Sequence, residues 1–198
     1  MKKAPALDTR PLPDTVEMEV ISDGQMPTHA LALLKHSEPE STSRLVILPI
    51  NVDTWRRRMT ISLPIVTPEA TPRPVPQYNA EHTHQVISLP VVEFLVPHPD
   101  NVPILLLFAL ALEPLPNLLA MCLLPGEVVG EFPHAKEMAN VIARKYSGED
   151  IVAYVRQNRR IWENALSLGV KDPSILDIVE KAWKVTNVAH QKFKRSLA

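Results

Sequence analysis

Proline is distributed unevenly along this chain, and the distribution limits where long helices can form. Of the 20 prolines in 198 residues, 18 precede residue 131. Proline lacks a backbone N–H donor and clashes with the preceding helical turn, so it interrupts helices and central strands. The two later prolines, Pro133 and Pro173, stand where helices are expected to begin. The pattern predicts strands and loops first and uninterrupted helices afterwards, which is the order of an α+β protein.

Residues 150–189 carry the strongest helical pattern. Apolar side chains recur every three or four residues in two consecutive runs, which predicts two amphipathic helices. Gly169 suits a left-handed cap at the end of the first helix. Asp172 and Pro173 suit the first turn of the second. Because the connection is short, the two helices are expected to pack antiparallel.

The same periodicity predicts which side of each helix is buried. In the first helix Trp162 lies in the centre of the apolar sector, and Asn164 lies on the solvent side. The full predicted sector is Ile151, Val152, Val155, Trp162, Ala165 and Leu166. In the second helix the predicted stripe is Ile175, Ile178, Val179, Ala182, Ala189 and Phe193. Trp183 lies at the edge of that stripe, which makes it a candidate surface anchor.

The earlier part of the chain gives shorter signals. Alternating or β-branched runs predict strands at 16–21, 44–50, 59–66 and 86–96, while 29–34 fits either a strand or a helical turn. Helices are predicted at 101–112, 114–124 and 135–146, the first of them apolar all round and therefore buried.

These elements predict a small mixed or antiparallel sheet followed by a C-terminal bundle of four or five helices. We expect a flexible tail at 1–15 and a single domain over 16–198. A proline-rich loop without periodicity, at 67–84, interrupts that domain.

Charge is also divided unevenly. Residues 1–130 hold 9 Lys and Arg against 14 Asp and Glu, whereas residues 131–198 hold 12 against 8, so the two parts carry −5 and +4. The basic C-terminal helices are therefore expected either to attract an acidic partner or simply to expose solvated faces. The overall charge of −1 argues against nucleic acid or a membrane surface as a partner of the whole chain.

The remaining composition points to a reducing compartment. Cys122 is the only cysteine and lies in an apolar run, so a small buried side chain is expected rather than a disulfide. The N-terminus lacks an apolar segment of the secretory type. Residues 104–112 reach about half the length that a membrane span needs. We expect a soluble protein of the nucleus or cytoplasm.

No stretch of the sequence matches a catalytic motif, and we assign no catalytic residue, cofactor or metal. His82, His84 and His98 could suggest a metal site, but no carboxylate or thiolate of ligand spacing joins them, so they are also consistent with ordinary loop histidines. The basic cluster from Trp55 to Arg58 fits a nuclear import signal, a nucleic-acid contact or an exposed loop between two strands.

Residues 155–189 resemble the C-terminal signature of the fungal Clampless family, regulators of sexual development in basidiomycetes. The matching residues are Val155, Arg156, Ile161, Trp162, Asn164, Ala165, Leu168, Gly169, Val170, Asp172, Ala182, Trp183 and Val185. Upstream, Val96-Pro97-His98-Pro99 before an apolar helix is similar to a step in the same family. The sequence departs at Leu176, where a second aromatic is expected, and at 108–112, where a Tyr-Thr pair is usual.

The resemblance implies a nuclear or cytoplasmic regulator that binds other proteins and has no known catalysis. The order of strands and helices also resembles the BTB/POZ fold, as a fold-level analogy only. A transcription factor and a second copy of the chain are both conceivable partners. Arg156, Arg160, Trp183 and Lys184 are the predicted partner-binding residues, because arginine and tryptophan most often carry binding energy. The alternative is a DNA-associated transcriptional regulator that uses the basic clusters.

Overall fold

A computed structural model confirms the α+β class, with a curled sheet followed by helices. It describes residues 12–21, 26–35, 45–65, 74–131 and 134–196. The chain forms two compact units. The first consists of Met1–Arg57 and Ile61–Pro99, and the second of Arg58–Thr60 and Asp100–Ala198. The predicted tail at 1–15 falls largely outside the described residues, and the single-domain boundary stays a prediction.

The first unit is built on a mixed sheet. Its strands are β1 (Thr15–Glu19), β2 (His29–Lys35), β3 (Val46–Ile50), β4 (Gln77–Tyr78) and β5 (Gln85–Val96). They are ordered β1-β5-β2-β3, with β4 also paired to β5. The β2–β5 pair is parallel and the other pairs are antiparallel. The ambiguous signal at 29–34 is therefore a strand.

Strand β5 changes its inward face halfway along. Ile87 and Leu89 are buried in its first half, and Val92, Phe94 and Val96 in its second half, so the alternation slips by one residue around Pro90. Up to Pro90 the strand pairs with β1, and from Val91 onward it pairs with β2. Since proline cannot donate to a ladder, it suits this change of partner. The first half packs with Ala30 into a buried cluster.

The expectation for residues 52–66 is wrong in two respects. The cluster from Trp55 to Arg58 lies in helix α1 (Val52–Arg58) rather than in an exposed loop, and Asn51 Oδ1 accepts from Thr54 N at 3.1 Å at its start. Trp55 is fully buried, with its ring edge-on to Phe94 at 5.6 Å and its Nε1 donating to Ile61 O at 2.8 Å. No strand forms over the described part of 59–66. Met59 makes one isolated bridge with Val170, and a proline follows at position 64.

The proline-rich loop at 67–84 is also shorter than predicted. Residues 67–73 lie outside the described part of the chain, but β4 pairs with the start of β5. Asn79 closes the turn between them, because its Oδ1 accepts from Thr83 N at 2.8 Å. The sequence analysis did not predict this hairpin because its first strand, β4, is only two residues long, too short for a periodicity to show.

The second unit is helical. After a 3-10 turn at Pro99–Asn101, its helices are α2 (Val102–Ala109), α3 (Pro116–Leu123), α4 (Gly126–Val129), α5 (Ala135–Lys145), α6 (Gly148–Leu168) and α7 (Pro173–Ser196). Helix α7 packs against α3, α5 and α6. The buried face of α5 consists of Met138, Ala139 and Ile142.

The predicted caps of the last two helices are confirmed. Gly169 ends α6 in the left-handed region, with φ 64 and ψ 50. Asp172 Oδ1 accepts from Ser174 N at 3.0 Å and so caps α7. The helices run antiparallel, since the start of α6 meets the end of α7. At Gly148 a Cβ would stand 2.6 Å from Phe193 Cε1, so glycine permits the close approach.

The buried face of α7 follows the prediction, whereas that of α6 is rotated. Asn158, Asn164 and Leu168 are fully buried, while Leu166 is 57% exposed and Trp162 is only half-buried. The prediction of Trp162 as the centre of the buried sector and of Asn164 on the solvent side is therefore wrong. The prediction failed because two asparagines occupy inward positions of α6. A search for apolar periodicity does not detect polar residues on a buried face.

One histidine of the first unit links its stability to pH. His29 is only 8% exposed, and burial first and the Arg56 charge second lower the pKa of its imidazole. A lowered folded-state pKa means that the unfolded chain binds the proton more readily. The contribution of neutral His29 to the free energy of unfolding is fully present above the pKa of histidine in the unfolded chain, about 6.5. It is lost as the pH falls below that value toward the pKa of His29 in the folded protein.

We therefore expect the wild-type urea midpoint to fall more between about pH 7.5 and 5.5 than that of His29→Gln. His134→Gln, which alters an exposed histidine, is the matched control and should follow the wild type. Equal pH dependence in His29→Gln and the wild type would contradict the assignment.

Candidate partner-binding surface

A buried amide fixes α6 against two neighbouring helices. Asn158 is fully buried, and its Nδ2 donates to Leu123 O, the last residue of α3, at 3.0 Å. The same nitrogen lies 3.4 Å from both Ala182 O and Thr186 Oγ1 on α7. Thr186 Oγ1 in turn donates to Ala182 O at 2.9 Å. This polar contact sets the rotation of α6, and thereby decides which of its side chains face outward.

The orientation of the Asn158 amide follows from its surroundings. Two backbone carbonyl oxygens lie beside Nδ2, so a flipped amide would place its own oxygen against them. The Oδ1 atom is buried and has no hydrogen-bond partner among the described residues. An unpartnered buried oxygen costs free energy, which the contacts of Nδ2 must offset.

The rotated α6 exposes Arg156 and Arg160. Among the described residues, no carboxylate lies within ion-pairing distance of either guanidinium. By contrast, Arg159 Nε pairs with Glu163 Oε1 at 2.8 Å on the same helix. The two arginines lie one turn apart and present accessible positive charge.

The other two predicted site residues lie elsewhere. Trp183 is half-buried and stacks on Trp162, with ring centroids 6.3 Å apart and an interplanar angle of 13°. Lys184 Nζ pairs with Glu180 Oε1 at 2.7 Å. Trp162 and Arg160 are two positions apart and so point about 160° away from each other around α6. The four residues therefore do not form one contact cluster.

The outward side of α3 is apolar, which the sequence analysis did not predict. Its inner face buries Leu119, Ala120 and Leu123. The outer α3 face, defined here as Leu115, Leu118, Met121 and Cys122, is exposed. Leu115 is 59%, Leu118 38% and Met121 56% accessible. The prediction that Cys122 is buried is wrong.

The neighbouring turn adds to this surface. The predicted burial of helix 101–112 on all sides is likewise wrong, since Leu107 is 40% and Leu112 60% exposed. Ala111 adopts φ 56, and the Leu112 and Glu113 amides donate to Leu107 O at 3.0 and 2.9 Å.

The sequence did contain a signal for the exposed apolar surface of α3, because residues 114–126 contain no charged residue at all. A helix with both faces apolar needs either complete burial or a partner.

A direct contact joins the outer α3 face to α6. Gln157 Nε2 donates to Cys122 O at 3.4 Å, next to the Asn158 contact with Leu123 O. Arg160 lies one turn beyond Gln157, about 60° around the helix. The C-terminal end of α3 therefore contacts α6 at Gln157, and the exposed arginines of α6 lie within one turn of that contact.

The other chemical candidates of the sequence belong to other elements of the chain. In the basic cluster of α1, Arg57 Nη2 donates to Thr54 Oγ1 at 3.2 Å, and Arg58 pairs with Asp172 at 3.8 Å. His82 and His84 lie in the turn before β5, where His84 Nδ1 contacts Thr83 Oγ1 at 3.0 Å. Within the described ranges, no group of three or more His, Cys, Asp or Glu side chains could hold a metal ion.

None of the helices that the structure describes has the length and apolar character needed to cross a membrane.

The comparison with known families concerns the helical unit. Residues 104–196 match the family model described as the Clampless protein 1 C-terminal domain, which confirms the resemblance inferred from residues 155–189. The match covers α3 to α7 and most of α2. No curated protein and no solved structure matches the chain.

The buried amide gives a stability prediction. Asn158→Asp places a carboxylate against the Leu123 and Ala182 carbonyl oxygens, so it should cost about 3–5 kcal/mol of unfolding free energy at neutral pH. Protonation restores a donor, so the variant should regain part of that stability as pH falls. Urea unfolding measures both effects, and Gln157→Glu, an exposed neighbour, should change stability by less than about 0.5 kcal/mol. An Asn158→Asp protein as stable as the wild type would disprove the role of the amide.

Proposed function

We propose that this protein is a non-enzymatic regulator of fungal sexual development whose helical unit binds another protein, since residues 104–196 match the family model described as the Clampless protein 1 C-terminal domain. The family suggests a fungal developmental regulator. Binding to another protein is the mode of action that the surface of the helical unit favours.

The observation that carries the proposal is the outer α3 face. Exposed single leucines are common on protein surfaces, but a contiguous apolar helix face usually marks a binding site. Leu118 and Met121 lie one turn apart on the exposed side of α3, and the exposed Leu115 immediately precedes the helix. Because α3 already buries a separate inner face, the outer one is not needed to hold the helix in place. The surface lies wholly within the matched domain.

The non-enzymatic part of the proposal is supported by the sequence. The chain carries no nucleophile motif, no phosphate-binding loop and no dinucleotide fingerprint. A regulator of this kind would act in the nucleus or cytoplasm, with a transcription factor as one suitable partner.

The test replaces the gene in the fungus with a double variant, Leu118→Glu and Met121→Glu. Two carboxylates on the outer α3 face would have to be desolvated in any apolar contact, which opposes binding. We expect the variant to accumulate to the wild-type level and to keep its melting temperature. Sexual development should fail, and the proteins that co-purify with the wild type should be lost.

The matched control is Leu166→Glu, which adds a carboxylate at a leucine of α6 that is as exposed as Met121. It should develop normally and keep its partners. Normal sexual development with the outer α3 double variant would refute the proposal, since that surface would then be dispensable.

A further inference from the structure

The outer α3 face has an asymmetric electrostatic border. No charged residue occurs between Glu113 and Glu127 in the sequence. Glu113 lies before the N-terminus of α3, where its Oε1 accepts from Leu115 N at 2.9 Å. Glu127, beyond the C-terminus, is paired with Lys145. Both nearby carboxylates are therefore already engaged within the chain.

The border toward α6 is positive. Gln157 brings α6 alongside the C-terminal end of α3, through its contact with Cys122 O at 3.4 Å. Arg156 and Arg160 flank Gln157 on the exposed side of α6, and no described carboxylate lies within ion-pairing distance of them. An unpaired guanidinium beside an apolar surface favours a ligand that supplies both apolar area and carboxylate oxygens.

From this juxtaposition we infer that the α3–α6 surface binds an amphipathic helix of another protein, with an apolar stripe bordered on one side by Asp or Glu. The stripe covers Leu115, Leu118 and Met121, and the acidic border pairs with Arg156 and Arg160. An apolar stripe at i, i+3, i+4 and i+7 is the usual way in which a helix docks on such a surface. The inference rests on the proposed function and adds the chemical class of the partner.

The surface is poorly suited to a second copy of itself. In a two-fold dimer the same patch supplies both sides of the interface. The two carboxylates nearest to the face in the sequence are already engaged, that of Glu113 by the Leu115 amide and that of Glu127 by Lys145. Self-association would therefore leave both arginine pairs without carboxylate partners.

The test uses two synthetic helix-forming peptides of about 18 residues, which is five turns. Both carry a leucine stripe, and its border consists of glutamate in one peptide and lysine in the other. Fluorescence anisotropy with the full chain should show the glutamate peptide binding at least about tenfold more tightly, a difference of about 1.4 kcal/mol. The preference should shrink between about 50 and 500 mM salt, because surface charges are screened.

Three variants assign the effect to residues. Arg156→Glu with Arg160→Glu should reverse the preference toward the lysine peptide. Met121→Glu should weaken both peptides. Lys194→Glu with Arg195→Glu, the same charge reversal at the end of α7, should leave the preference unchanged.

Each contrary result overturns the inference. Equal binding of the two peptides, binding of neither, or a preference unaffected by the arginine reversal would show that the surface does not select an acidic helix. A concentration-dependent dimer in sedimentation that Met121→Glu abolishes, without competition by the glutamate peptide, would assign the surface to a second copy. If sexual development still fails in the outer α3 variant, the proposed function survives and only the partner class is wrong.

Discussion

The Asn158 amide is the interaction on which the arrangement of the helical unit depends. It is fully buried and bonds the last residue of α3 while lying beside two groups of α7. Apolar packing alone is compatible with several rotations of a helix about its axis. A buried amide that must donate to two carbonyl oxygens is compatible with only one of these rotations. Fixing α6 in this rotation places Asn158 and Asn164 inward and turns Arg156 and Arg160 toward solvent. The exposed surface is thus a consequence of the polar core.

That surface combines two features that are individually ordinary. An exposed arginine is common, and so is an exposed leucine. Their combination is less common. Helix α3 is apolar on both sides, and its C-terminal end contacts α6 within one turn of the exposed arginines. In the proposed complex, apolar area would supply affinity, and the charge on α6 would supply selectivity and a faster association. This division of roles suits a regulator that must recognise one partner.

Local sequence signals predicted the elements of this fold better than their packing. Gly169 and Asp172 act through their own backbone neighbours, so the caps of the last two helices could be predicted from the residues alone. The buried face of α6 could not be predicted, because the partners of Asn158 Nδ2 lie 24 to 35 positions away in the sequence. Burial of Trp55 against Phe94 depends on a sheet contact of similar range. Of the predicted site, Arg156 and Arg160 remain on the proposed surface, whereas Trp183 stacks on another tryptophan.

The central claim is that the outer α3 face contacts a partner protein, and site-specific photo-crosslinking tests it most directly. A photoreactive benzoylphenylalanine would replace Met121 in one tagged protein and Leu166 in another, since both native side chains are more than half exposed. In developing hyphae, the probe at position 121 should form a light-dependent adduct whose cross-linked peptide is amphipathic and carries Asp or Glu beside its apolar residues. The probe at position 166 should not. Adducts of equal yield at both positions, or an adduct at 121 only with a second copy of this chain, would contradict the account.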